Sequence, residues 1–418
     1  MKNDNVFDHG RRKMLGSTAK TLAGGMALTL GMPALVRAQG EGPIKIGLVF
    51  AKQGTWTVQG EQLVSGARMA LEAVGNKLLG RPVELVWYDE PNPQSAQQNM
   101  QKLIDEDKVV AVLGGTNSAT SLAMASVARR AKVPYISPNA AARELTGSEC
   151  NPYTFRTLTT TLVASRAMAP ELLKVGKKWS FLTANYAFGQ DIQTSMTGLL
   201  KEGGGSVQSQ DATPLGTTDF SSFILKLRQA KPDVVVAGLP GGDLSTFLKQ
   251  YAEMGMKGRI PIACPIIGDA DLWSISPEAA TGYFGKPWHF SSPDNPAADK
   301  AFTQAYVAKY KKPPADKVWL GWFSMRMLIA GIEEARNVKG GDIAAALESV
   351  RIDDGGTPAY YRKWDHQMLR KTLVLKVKDK ITDQWDWLDV VATAPNDASQ
   401  LDALYGTQQE IGCRMDPR

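Results

Sequence analysis

The residues best placed for chemistry lie in short polar loops that follow runs of Val, Ile and Leu. Ser118 ends the loop 114–118, where a helical pattern begins, and Asn139 and Ala141 follow an apolar run that ends at Ser137. A hydroxyl and the free N–H groups at a helix start can receive a carboxylate. These loops predict a site for the polar end of a small molecule, although a plain helix cap explains Ser118 equally well.

A second group of such loops is richer in aromatic and small apolar residues. Tyr186, Pro240 and Ile266 each follow a strand pattern, and Asp269 and Asp271 come directly after the last of these. Ligands of open parallel sheets bind beyond the carboxyl ends of the strands, so these residues are candidates for enclosing an apolar group.

Three further candidates carry large or amide side chains. Trp56 and Gln59 lie in the polar loop 52–60, and Trp322 lies in the apolar helical run 318–323. Packing in a surface loop is the alternative for Trp56, as it is for Tyr186, and a place in the helix core is the alternative for Trp322.

Motifs for catalysis, cofactors and metals are absent from the sequence. Gly114-Gly115-Thr116-Asn117-Ser118 lacks both the Gly-x-Gly-x-x-Gly spacing and the Lys-Ser/Thr of a phosphate loop. There is no Gly-x-Ser-x-Gly elbow, and His9, His289 and His366 offer no pair at metal-ligand spacing. We therefore expect a binding protein with no catalytic residue, cofactor or metal, and an exported hydrolase is disfavoured.

The first 38 residues have the layout of an export signal. Arg11 and Arg12 precede an apolar stretch from Thr21 to Val36, and small residues end at Ala38, where we expect cleavage. The apolar run is too short to span a membrane. Six basic and two acidic residues lie in this segment, so its removal lowers the formal charge from +6 to +2. That charge gives no reason to expect a nucleic-acid partner.

The three cysteines suit an exported protein with one disulfide. Cys150 and Cys413 lie in loop-like contexts, whereas Cys264 ends an apolar run and is expected to be a buried thiol. We favour a Cys150–Cys413 bond, and three unpaired thiols are the alternative.

Alternating strand and helix patterns predict an α/β fold of two doubly wound, Rossmann-like lobes joined by a multi-crossover hinge. Helical patterns without strands between 297 and 349 must cover a sheet already built, so the chain is expected to cross back to the first lobe. The predicted segments are the signal 1–38, lobe 1 at 43–157, lobe 2 at 158–287, returning helices of lobe 1 at 288–355, returning strands of lobe 2 at 356–395, and a tail at 396–418.

An ordered set of short motifs resembles the leucine/isoleucine/valine-binding family. The motifs run through the mature chain and are Ile44-Lys45-Ile46-Gly47, Gly60-Glu61-Gln62, Tyr88-Asp89, Ser137-Pro138-Asn139-Ala140-Ala141 with Glu144-Leu145-Thr146, Tyr153-Thr154-Phe155-Arg156-Thr157, and Asp219-Phe220-Ser221. The family comprises type I periplasmic solute receptors of ABC importers.

The resemblance implies a periplasmic monomer that closes on a small amino acid, branched-chain or otherwise apolar, and delivers it to a membrane permease. Its ligand positions fall here on Gln59, Ser118, Asn139, Ala141, Tyr186, Pro240, Ile266 and Trp322. Two positions depart from the pattern: Ala141 replaces a hydroxyl for the ligand carboxylate, and Ile266 replaces an acid for the ammonium.

Either Asp269 or Asp271 supplies the missing negative charge, or the ligand is not an α-amino acid. A short amide or an aromatic acid is therefore the alternative ligand. A receptor that signals to a partner is the alternative role, and the sequence has no signalling segment to favour it.

Overall fold

Two α/β lobes, each built on its own sheet, form the part of the chain that the structure describes. The structure is a computed structural model and describes residues 42–395 and 397–416. The predicted export signal lies outside the described residues.

Lobe 1 is built on a six-stranded sheet of order β2-β3-β1-β4-β5-β6, in which all neighbours except β2 and β3 run parallel. Its elements are β1 (Ile44–Val49), α1 (Thr57–Glu72), β2 (Lys77–Leu78), β3 (Arg81–Tyr88), α2 (Pro93–Asp105), β4 (Ala111–Gly114), α3 (Ser118–Ala131), β5 (Tyr135–Ser137) and β6 (Thr154–Arg156). The strands β1, β4 and β5 are almost wholly buried because helices cover both faces, as their continuous apolar runs predict.

Lobe 2 repeats the alternation after the first crossover. Its elements are α4 (Thr161–Val175), β7 (Lys178–Ala184), α5 (Ala187–Glu202), β8 (Ser206–Thr213), α6 (Ser221–Ala230), β9 (Val234–Gly238), α7 (Gly241–Glu253), β10 (Ile262–Cys264), α8 (Asp269–Trp273) and β11 (Tyr283–Lys286).

The chain then crosses back and adds helices to lobe 1. These are α9 (Ala297–Tyr310), α10 (Asp316–Ala335) and α11 (Gly340–Ser349). The helix α10 lies directly on α1, and two glycines permit the close approach. A Cβ atom on Gly66 would lie 1.8 Å from the carbonyl oxygen of Val318, and one on Gly321 would lie 2.0 Å from that of Leu63.

The last crossover carries a small antiparallel sheet and returns the chain to lobe 2. The small sheet contains β12 (Ile352–Asp353), β13 (Pro358–Tyr361) and β14 (Met368–Leu369). Two further strands, β15 (Thr372–Val377) and β16 (Leu388–Ala394), complete the seven-stranded sheet of order β16-β15-β11-β10-β9-β7-β8. The predicted fold of two doubly wound lobes with several crossovers is thus confirmed, while the exact limits of the predicted segments stay a prediction.

The tail packs on lobe 2 and is bonded to lobe 1. Two short helices, α12 (Leu401–Tyr405) and α13 (Gln408–Ile411), follow β16, and Leu401 and Tyr405 are buried with Val163 of α4. Cys413 then forms a disulfide with Cys150 of lobe 1, with Cα atoms 5.7 Å apart, and Cys264 is a buried free thiol. The structure therefore has the cysteine pairing that the sequence favours.

Candidate functional site

A cavity lies between the lobes, where loops from the carboxyl ends of strands in both sheets face each other. Most residues that the sequence singles out line it together: Trp56, Gln59, Ser118, Asn139, Ala141, Tyr186, Pro240 and Ile266. Strand-end loops from two facing sheets therefore line one shared cleft.

Asn139 organises the lobe 1 side of the cavity. Its Nδ2 donates to the carbonyl oxygen of Thr116, at 2.8 Å, and to Oε1 of Gln59, at 3.1 Å. Its Oδ1 is buried and has no hydrogen-bond partner within the described residues. A buried acceptor without a partner is costly, so this oxygen is suited to a donor on a bound molecule.

Ser118 is the first residue of α3, and its side chain is not needed to cap the helix. The capping role belongs to Asn117, whose side chain accepts the N–H of Thr120 at 3.0 Å. The Oγ of Ser118 accepts N–H groups of Ala142, at 3.2 Å, and Ala141, at 3.4 Å. Because a hydroxyl is also a donor, Ser118 and the start of α3 can together bind a carboxylate.

Glu90 supports the loop beneath Ser118 and was not found by the sequence analysis. It is 2% exposed, and its carboxyl oxygens accept the N–H groups of Thr116, at 2.6 Å, and Gly115, at 3.2 Å. Burial raises the pKa of Glu90 to about 8, against the effect of these hydrogen bonds. Gly115 has a φ of +90°, a backbone conformation that glycine adopts without strain. The sequence feature that could have identified Glu90 is its position directly after the strand that ends at Tyr88-Asp89.

The lobe 2 side supplies an aromatic wall. Tyr186 and Phe188 stack with ring centroids 6.1 Å apart, and Pro240 and Ile266 complete an apolar surface. Burial raises the pKa of Tyr186 well above its usual range, so its hydroxyl stays neutral.

Asp271 places a carboxylate in the cavity from lobe 2. Nε2 of Gln59, from lobe 1, donates to both carboxylate oxygens of Asp271, at 3.1 and 3.2 Å. Asp271 also accepts the N–H of Gly268 at 3.2 Å. Burial raises the pKa of Asp271 to about 6, and attraction to Lys317 opposes this rise. The carboxylate of Asp271, when ionised, can therefore bind a cationic group.

Two residues that the sequence assigned to the site lie elsewhere. Asp269 is 1% exposed, pairs with Lys286 and accepts the N–H of Asp316 at 2.8 Å, so its carboxylate is used inside the protein. Trp322 stacks on Phe302, with centroids 4.4 Å apart, in the core of lobe 1. The helix-core alternative for Trp322 thus describes its position.

The sequence did not identify Thr116 or Lys317 as site residues, although both line the cavity. Lys317 carries a cation. It is the second residue of α10, where a cation opposes the helix dipole. A lysine at this unfavourable position indicates that its charge interacts with a group other than the helix dipole. Its Nζ lies 3.0 Å from Oδ2 of Asp316.

The described residues contain neither a metal-binding cluster nor a membrane-spanning helix. No cluster of three or more His, Cys, Asp or Glu side chains there could hold a metal ion. None of the described helices combines the length and the apolar character needed to cross a bilayer.

The chain resembles known proteins over most of its length. A family model described as periplasmic binding protein matches residues 43–382. Leu/Ile/Val-binding protein homolog 6 from Brucella melitensis biotype 1 is 26% identical over 315 residues, which are 74% of this chain and 80% of that protein.

Solved structures of solute-binding proteins are also similar to this chain over most of its length. A periplasmic binding protein from Burkholderia mallei is 28% identical with a TM-score of 0.82, over 90% of this chain and 99% of that one. An ABC transporter solute binding protein from R. palustris in complex with benzoate is 25% identical with a TM-score of 0.76, over 84% and 96%.

Proposed function

We propose that this chain, which belongs to the periplasmic binding protein family, binds a small apolar amino acid between its lobes and delivers it to an ABC-type permease. Membership of that family and the likeness to an ABC transporter solute binding protein support an extracytoplasmic solute-binding role. The identity of the ligand is our own inference from the cavity.

The position of Asp271 is the observation that carries this proposal. A buried carboxylate from lobe 2 and the hydroxyl of Ser118 from lobe 1 line the same cavity. An α-amino acid carries an ammonium group for the first and a carboxylate for the second. Of the two acids that the sequence left open, we propose Asp271 for the ammonium, because Asp269 is engaged by Lys286.

The apolar part of the ligand would lie against Tyr186, Phe188 and Ile266 of lobe 2, with Trp56 from lobe 1. Most of a ligand in such a site is enclosed by apolar side chains, and a few polar groups fix its orientation.

An aromatic acid is the second candidate, and one observation favours it. Lys317 also lines the cavity and carries a cation that could receive a carboxylate, and the R. palustris relative is bound to benzoate. A ligand of this kind has no ammonium group for Asp271.

Thermal unfolding with added ligand tests both candidates. A ligand that binds only the folded state at 100 times its Kd stabilises it by about 2.7 kcal/mol. We expect L-leucine, L-isoleucine or L-valine to raise the Tm, and 4-methylpentanoate, which is leucine without its ammonium, to leave it unchanged. Stabilisation by benzoate and by none of the amino acids would favour the second candidate.

The variant Asp271→Asn separates the candidates further. It should abolish the response to L-leucine, because the cation loses its counter-charge. The same variant should bind benzoate at least as well as the wild type does.

We also propose that Arg11 and Arg12 direct export by the twin-arginine route before cleavage near Ala38. The double variant Arg11→Lys, Arg12→Lys should leave the precursor in the cytoplasm, and export at the normal rate would contradict this route. We expect the mature chain to be a monomer, which light scattering would show.

A further inference from the structure

Five buried charged side chains meet beside the cavity, where α8, the end of β11 and the start of α10 come together. They are Asp269, Asp271, Lys286, Asp316 and Lys317, and none is more than 9% exposed. Lys286 pairs with Asp269, and Lys317 pairs with Asp316 at 3.0 Å. Asp271 is the remaining carboxylate of the five, and it lies beside the side chain of Lys317. A Cβ atom on Gly268 would be 2.8 Å from Oδ2 of Asp271 and 3.3 Å from Cε of Lys317, and both residues line the cavity.

The surroundings of Asp271 disfavour the ionised form of its side chain. Burial removes water from the carboxylate, and Asp316 repels it. The attraction of Lys317 is the strongest influence that favours ionisation, ahead of the hydrogen bond from Gln59. The balance of these effects gives Asp271 a pKa of about 6.

We propose that Lys317 is a positioning residue for ligand binding, because its ammonium group keeps Asp271 ionised and so able to bind the positively charged group of the ligand. This inference rests on the proposed function, since it assumes a ligand that carries an ammonium. Lys317 acts through Asp271, and the pair would set the pH below which the ligand is released.

The neighbourhood of Asp271 contains several other titratable groups, and they must be considered in any pH dependence. They are Asp269 on α8, Cys264 at the end of β10, Lys286 at the end of β11, and Asp316 and Lys317 on α10. Asp243 lies on α7, which packs against α8. Lys286 is the matched control, because it is an equally buried lysine whose partner is Asp269.

The test measures the affinity for L-leucine by calorimetry between pH 5 and pH 9 in the wild type and in Lys317→Met. The wild type should lose affinity below about pH 6, because a proton then occupies Asp271. In Lys317→Met this midpoint should move up by about one pH unit or more, which corresponds to about tenfold weaker binding below both midpoints. At pH 9, where Asp271 is ionised in both proteins, Lys317→Met should show no loss of affinity.

Three further variants separate this charge effect from a loss of structure. Lys317→Arg should restore the wild-type midpoint, and Lys286→Met should leave the midpoint in place even if it lowers stability. The double variant Asp316→Asn, Lys317→Met removes a cation and an anion together, so its midpoint should fall between those of the wild type and Lys317→Met.

Different results would contradict the role of Lys317 and the binding of an amino acid. Wild-type binding of L-leucine with an unmoved midpoint in Lys317→Met would overturn the role of Lys317 and leave the proposed function intact. Absence of amino-acid binding by the wild type at every pH would overturn both.

Discussion

Asp269 and Asp316 each accept a hydrogen bond from the backbone N–H of the other, and both distances are 2.8 Å. Asp269 begins α8 in lobe 2, whereas Asp316 begins α10, which packs on α1 of lobe 1. Both side chains are buried, and each also pairs with a lysine. The starts of two helices are thus joined across the cleft by a closed pair of bonds.

The first prediction follows from this pair. Asp269→Asn should destabilise the protein strongly, because it leaves Lys286 buried without its counter-charge, and breaking a buried ion pair from one side typically costs about 3–5 kcal/mol. Asp271→Asn is the matched control and should cost much less, because the amide oxygen can still accept from Gln59. Urea unfolding of both variants measures the difference, and equal losses would contradict the separate roles of the two acids.

The second prediction concerns Ser118. Ser118→Ala should weaken L-leucine binding by about 5- to 150-fold, because loss of one buried polar contact costs about 1–3 kcal/mol. Ser121 lies one turn later on α3, is buried and bonds to Ser137 at 3.1 Å, so Ser121→Ala is the control. A loss of affinity in Ser121→Ala as large as that in Ser118→Ala would show a general effect on the helix.

The third prediction concerns the pH dependence of stability through Glu90. The folded protein keeps the proton of Glu90 up to a pKa of about 8, whereas the unfolded chain releases it near its ordinary value of 4.5. The folded state therefore binds more protons between these values, and this group makes stability fall as pH rises through that window, by up to about 1.4 kcal/mol per pH unit. Glu90→Gln should remove this contribution. An unchanged slope between pH 5 and pH 8 in urea unfolding would count against it.

The fourth prediction concerns the disulfide. The bond between Cys150 and Cys413 spans 263 positions, and closing so long a loop stabilises a protein by up to about 5 kcal/mol in the chain-entropy model. Cys413→Ser should therefore lower the free energy of unfolding, and the reductant should then have no further effect. Thiol titration of the denatured wild type should find one free thiol, that of Cys264. Two or more would rule out the bond.

The sequence predicted the lobes because their strands are continuous apolar runs separated by helical periods. It predicted most of the cavity because strand-end loops share one edge of a sheet. The choice between Asp269 and Asp271 could not be made, since it depends on how the five-residue helix α8 is turned. Trp322 was misplaced because 15 of the 20 residues of α10 are buried, and the sequence pattern does not show which side faces the cavity.

The small sheet of the last crossover and the two tail helices were also missed. Strands of two residues, such as β12 and β14, are too short to give a periodic signal. The helices α12 and α13 contain only five and four residues, and α12 is held mainly by burial of Leu401 and Tyr405 against other parts of the chain.

The disulfide closes residues 150–413 into a covalent ring that contains lobe 2, β6 and the returning helices of lobe 1, while β1 to β5 lie outside it. From Cys150 the ring passes through β6, lobe 2, the returning helices of lobe 1 and each crossover, and it returns by way of the tail to Cys413. One cut by a protease at any exposed bond inside this ring opens the ring without releasing a fragment. A nicked molecule would keep its full mass until a reductant is added, so an oxidising compartment would conceal such damage.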